Sequence, residues 1–148
     1  MIQGAQISSR NHTFLASVLK EGKEVAITDL KANKILHRLK VAKKGQMSSQ
    51  FTSISFSWKD AFLAAGTSSG DLHLIDIKSG AIEVKQKHHF GTIKSVVFSK
   101  VQDLLYSTAE DGVVKSYDLT LQKTSKEVFV IVPFRNPAQV QGAYPGRQ

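Results

Sequence analysis

The chain has no cysteine among its 148 residues. That excludes disulfides and thiolate metal sites and fits a reducing compartment. Nothing approaches the roughly 18 consecutive apolar residues that a membrane-spanning helix needs. The opening residues, Met1 to Gln6, carry no apolar stretch of the signal-peptide kind. Without one, the glycosylation-like triplet Asn11-His12-Thr13 carries no weight. Acidic residues are missing altogether between Lys31 and Lys59. No capped, 3.6-period apolar segment points to a helix.

What is present is the composition of a globular protein, 41% hydrophobic and 22% charged, long enough for one domain with a core. The net charge is +8, and the acid-free stretch concentrates it in Lys31, Lys34, Arg38, Lys40, Lys43, Lys44 and Lys59. A field of one sign attracts acidic partners such as nucleic acid or an acidic protein surface. The bland alternative is a solvated basic face. Arg38, Lys40, Lys43 and Lys44 are the candidate contacts. Read as a connector rather than a core strand, they should be replaceable without loss of folding.

An internal repeat organises the rest. Phe56 and Phe98 stand 42 residues apart (98 − 56), as do Ser57 and Ser99, Leu63 and Leu105, Gly70 and Gly112, and Asp76 and Asp118. A fainter copy precedes them: Phe14-Leu15-Ala16 matches Phe62-Leu63-Ala64, and Val25 to Leu30 matches Leu72 to Ile77. One extra residue near Lys23 and a longer Lys40–Gln50 connector account for the changed spacing. Within each unit, strand-period alternation at Leu72–Ile77 and Ala81–Lys87 is broken by Ser69-Gly70 and Asp111-Gly112, where tight turns need φ > 0. Ile54, Phe56, Leu63, Val96, Phe98 and Leu105 recur in register and are the expected core.

The run His89 to Ser99, then Leu105-Tyr106-Ser107, then Glu110 to Leu119, resembles one complete WD40 repeat, with Tyr117-Asp118 at the "WD" end. The resemblance implies an all-β propeller fragment of about three four-stranded antiparallel blades. It covers repeats over 12–132, after a lead-in over 1–11; the Pro/Gly content of 133–148 marks a C-terminal tail expected to be disordered. The resemblance also implies a buried structural network of His89, Ser107, Asp111 and Tyr117, the last replacing the usual Trp. In the preceding repeat the same positions are Met47, Ala65, Ser69 and Ile75, so the network should be absent there and packing should serve instead. Ser69→Ala should then matter much less than Asp111→Ala. Propellers close with about 4–8 blades. Three imply an open arc, with edges that invite self-association or a completing partner.

Other patterns are decoys. His89, Ser107 and Asp111 have the residue types of a hydrolase triad, but the repeat explains all three. Gly66-Thr67-Ser68-Ser69-Gly70 matches a nucleophile elbow, yet it joins two strands rather than a strand and a helix. His88 and His89 are adjacent, so on a strand they would face opposite ways, and no Cys or carboxylate cluster completes a metal set. We therefore expect no enzyme activity, no cofactor and no metal. Trp58 sits in a turn, where it is either an exposed binding anchor or folded back on the blade edge.

The expected function is a WD40 scaffold for protein–protein interaction. Val25 to Arg38 and Ser57 to Gly66 are similar to the centrosomal WD-repeat family that recruits γ-tubulin ring complexes, which implies targeting in microtubule organisation and a cytoplasmic, centrosomal location. The alternative is a nuclear, nucleic-acid-associated scaffold in ribosome biogenesis or RNA processing, favoured by the basic stretch. Neither reading involves a membrane.

Overall fold

Among the described residues, short alternating runs bounded by Gly, Ser and Asp turns form strands. The computed structural model describes residues 2–7, 12–41 and 49–129. Its strands are β1 (Ile2–Ile7), β2 (Phe14–Leu19), β3 (Glu24–Asp29), β4 (Lys34–Lys40), β5 (Phe51–Phe56), β6 (Phe62–Thr67), β7 (Asp71–Asp76), β8 (Ile82–Lys87), β9 (Ile93–Phe98), β10 (Leu104–Ala109), β11 (Val113–Asp118) and β12 (Lys123–Phe129). They form three antiparallel sheets, β1–β4, β5–β8 and β9–β12. This is the partial propeller that the repeat implies. Residues 2–7, read from the sequence as lead-in, pair with β2, Gln6 opposite Ala16. The tail over 133–148, together with Lys43, Lys44 and Met47, lies outside the described residues.

The repeat is visible in detail. β9, β10 and β11 each begin 42 residues after β5, β6 and β7. The turn between β2 and β3 has four residues where that between β6 and β7 has three, which locates the extra residue near Lys23. Gly22, Gly70 and Gly112 occupy the equivalent turns at φ of 83°, 86° and 77°, a region that side chains disfavour. In every sheet an aspartate closes the third strand opposite Phe14, Phe62 or Leu104. Asp29 Oδ1 accepts from the amides of Lys31 and Ala32, Asp76 Oδ1 from Ser79, and Asp118 Oδ1 from Leu121. Each aspartate thereby fixes the following turn. The Ser79 amide in particular holds the Asp76 carboxyl below its usual range.

Two cores join the sheets. Ala16, Val25 and Ile27 meet Leu63, Ile75 and Ile77 between the first and second sheets. Ala64, Leu72 and Leu74 meet Val96, Leu105 and Tyr117 between the second and third. Of the six expected core residues, five are buried and Ile54 is half-buried against the first core. Leu63, Leu72 and Leu105 are at most 1% exposed, and each such burial contributes about 1.5–3 kcal/mol. The second sheet is covered on both faces. Leu72 to Ile75 is therefore buried without a break, although its sequence alternates.

Hydroxyls stitch the inner strands of neighbouring sheets. The amides of Val96 and Phe98 donate to Ser53 and Ser55, at 3.1 and 3.2 Å. Thr52 Oγ1 donates to the Ile93 carbonyl at 2.5 Å. The approach here depends on Gly66, where a Cβ would stand 2.5 Å from Ile93 Cγ2.

Candidate functional site

The connector after β8 and the turn between β10 and β11 bring His89, Ser107 and Asp111 together. His89 Nδ1 lies 3.0 Å from Asp111 Oδ2, and His89 Nε2 lies 2.7 Å from Ser107 Oγ. A carboxylate only accepts, so Nδ1 carries a proton towards Asp111; when the ring is neutral, Nε2 accepts from the serine hydroxyl. Asp111 also accepts from the amides of Phe90 and Val113, at 3.0 and 3.1 Å. Burial pushes its carboxyl up, but those two amides and His89 together hold it below the usual range. Tyr117 is buried and enters through packing, its ring edge-on to His88 at 6.3 Å. Burial raises its hydroxyl pKa.

The connectivity is that of a nucleophilic triad, but the access is not. Ser107 and His89 are each 1% exposed, so no substrate carbonyl can reach the hydroxyl. What the set can do is tie the connector, β10 and the β10–β11 turn into one unit.

Two expectations about neighbouring residues need correction. His88 and His89 do not point to opposite faces. They follow β8 rather than lie in it, and both are buried with ring centroids 5.0 Å apart. Burial, followed by the charges of His89 and Lys115, lowers the His88 pKa to about 4. Among the described residues no three His, Asp or Glu side chains gather as a metal site. Nor does packing alone serve in the second sheet. Ser69 Oγ donates to Asp71 Oδ2 at 2.8 Å and shares hydrogen bonds with Ser49 and Thr67, at 2.9 and 3.0 Å. A chain of hydroxyls replaces the His–Ser–Asp set. Its members look like ordinary turn residues until the fold brings Ser49 to Ser69.

The basic candidates divide. Arg38 and Lys40 lie in β4, not in a connector. Arg38 bonds Glu24 Oε1 at 2.6 Å, and Lys20 reaches Glu24 Oε2 at 3.0 Å. These two partners, Lys20 first, lower the pKa of the buried Glu24. Arg38 is thus structural as well as half-exposed. Sequence reasoning passed over the outer-strand lysines Lys85, Lys87, Lys123 and Lys126, all exposed. For Lys85 and Lys87 the signal was available in the polar alternation of Ala81–Lys87. Several acidic groups are engaged by the fold itself, in turn caps, the Asp111 set and the ion pairs of buried Glu24. Lysines are left in excess on the rim.

Trp58 is half-buried. It forms one wall of a cleft of about 250 Å³ between the second and third sheets, with Lys59, Phe62, Phe98, Asp103 and Leu119. The Lys59 ammonium stands 5.4 Å from the Trp58 ring centroid, within cation–π range.

Residues 3–140 match the family profile described as nucleolar protein 10-like, N-terminal domain, a β-propeller. The chain belongs to that family. The match does not extend to the centrosomal family that Trp58–Asp60 and Lys34–Arg38 resemble. A search of curated proteins found no match. Among solved structures, the propeller is similar to U3-55K, with a TM-score of 0.76 and 18% identity over 86% of this chain and 39% of that one. It is similar to the RRP9 WD40 repeats, at 0.76 and 19% over 86% and 38%. It is also similar to Saccharomyces cerevisiae Sqt1, at 0.73 and 17% over 90% and 40%. At these identities the likeness is one of fold. The chain spans about two-fifths of each of those structures.

Proposed function

We propose that this propeller is a nucleolar scaffold in ribosome biogenesis that docks on RNA-containing particles through its basic rim. The observation that carries the reading is membership of the nucleolar protein 10-like family over residues 3–140. The nucleolus is where ribosomal RNA is made and assembled with protein. The rim supports the same reading. Lys34, Lys40, Lys85, Lys87, Lys123 and Lys126 lie exposed along three successive outer strands, and neutralising phosphates releases counterions. The buried His–Ser–Asp set is assigned a structural role, which keeps the docking surface rigid.

The test is to follow the tagged chain in cells and to crosslink it to RNA. Nucleolar signal and ribosomal RNA crosslinks are expected. Affinity should fall steeply with salt, and the salt slope should shallow when Lys40, Lys85 and Lys87 become Gln. Centrosomal foci without RNA crosslinks would instead favour the microtubule-organising reading and refute this one.

A further inference from the structure

The cleft beside Trp58 has walls from two sheets that are both described, so a further sheet added at either end of the arc would not cover it. Its large apolar lining residues are Trp58, Phe62, Phe98 and Leu119. Two large apolar residues stand exposed on the turns that carry its polar lining, Val101 at 82% and Leu121 at 59%. At about 250 Å³ it is smaller than the roughly 300–1,000 Å³ of small-molecule sites. That is room for one side chain rather than a cofactor.

The turns around it are preformed. Ser57 Oγ accepts from the amides of Ala61 and Phe62, at 3.2 and 3.0 Å. Ser99 Oγ, 42 residues later, accepts from Val101 and Gln102, at 3.3 and 3.2 Å. The Leu119 amide donates to the Asp103 carbonyl at 3.0 Å. A binder meets a surface whose ordering cost has already been met in folding.

The charges at the mouth select the occupant. Lys59 lies over the Trp58 ring, and Lys100 is exposed on the turn that leads to Asp103. Both favour an acidic neighbour on one side of the anchor. Asp103 in the lining confines that acidic neighbour to the Lys59 side, and Lys59 already covers a face of the indole on which a base would stack.

We propose that this cleft is a docking site for a protein partner's peptide segment in which an aromatic or leucine anchor is flanked on one side by acidic residues. The proposal goes beyond the RNA reading and stands or falls separately from it.

Trp58 is the single tryptophan of the chain, so its emission reports the cleft directly. The full chain is titrated with acetyl-Glu-Glu-Phe-Gly-Ser-amide, with the same peptide carrying Ala for Phe or Lys-Lys for Glu-Glu, and with oligouridylate. The expected result is a shift of Trp58 emission by the first peptide. Its affinity should be about tenfold or more above either control, as befits a buried anchor. Lys59→Glu should invert the preference between the Glu and Lys peptides. Leu121→Ser, at an exposed position, should weaken binding with an unchanged circular dichroism spectrum. Three results would overturn the proposal: no emission change with the Phe peptide at millimolar concentration, a change produced by oligouridylate instead, or a change that follows protein concentration without peptide, which would mean a second copy fills the cleft.

Discussion

Asp111→Ala removes one acceptor from three donors. Water can replace it at the exposed Phe90 amide but not at His89 Nδ1, whose ring is 1% exposed. A buried donor left unsatisfied costs about 1–3 kcal/mol, and the part-buried Val113 amide adds about 0.5–1.5 kcal/mol. The expected loss is therefore about 1.5–4.5 kcal/mol. For a chain of this size that lowers Tm by roughly 3–18 °C. Urea unfolding, followed by Trp58 emission and circular dichroism together, measures it. Asp111→Asn, which keeps an acceptor oxygen, should lose less. Ser69→Ala deprives Asp71 and two hydroxyls of a partner; Asp71 and Ser49 are partly wetted, and the buried Thr67 hydroxyl keeps its bonds to the Asp71 backbone, so about 1 kcal/mol is expected. A loss below about 0.5 kcal/mol for Asp111→Ala, or an equal loss for Ser69→Ala, would refute the reasoning. The pH dependence follows in sign. The folded carboxyl lies below its unfolded range. Its contribution is complete above the unfolded pKa of about 3.9 and disappears as pH falls through the folded value. The variant should therefore lose less stability than the wild type on acidification below about pH 4.

Other outcomes can be checked alongside. The buried His88 ring resists protonation down to about pH 4, while the unfolded chain protonates near 6.5. Between those values the unfolded state binds more protons, so His88 lowers stability as pH falls. NMR titration should place its midpoint near 4, and a midpoint above 6 would contradict its burial. Arg38→Gln should destabilise the fold, because Glu24 is buried and keeps only Lys20, whereas Lys40→Gln should shift the urea midpoint negligibly. Equal effects would return Arg38 to the solvated face. Gly66→Ala should cost about 1–3 kcal/mol by overpacking against Ile93, and an unchanged Tm would show that the second and third sheets can part without penalty.

The repeat made the sheets legible because the same geometric demand recurs at one spacing: an apolar residue where Leu63 and Leu105 sit, positive φ at Gly70 and Gly112, a turn-capping carboxylate at Asp76 and Asp118. β1 was not legible. Gln3-Gly4-Ala5-Gln6 offers no apolar period, and the strand is defined by its pairing with β2. Lys34–Lys40 read as a connector because an outer strand half in water needs little apolar content. In the candidate site, His89, Ser107 and Asp111 could be named from the repeat. The Ser49–Ser69–Thr67 chain and the cleft at Trp58 could not, since each depends on turns that only the finished fold places side by side. The centrosomal likeness gains no support from the family match for a related reason: Trp58–Asp60 and Lys34–Arg38 are short surface elements, and surface turns diverge and converge more readily than a core does.

The serines of β5 give the joint between sheets a direction. Ser53 and Ser55 are acceptors held out by the earlier strand for amides of the later one. Their equivalents on β9 are Ser95 and Val97, and Val97 is 54% exposed. During synthesis from the N-terminus, the second sheet offers β9 a two-rung template as soon as that strand emerges. Any strand that docked on the third sheet would meet one rung and a greasy step. A polymer growing along this arc would be guided into register at the first joint and held there at the next mainly by shape, so errors of strand alignment should accumulate at the trailing face.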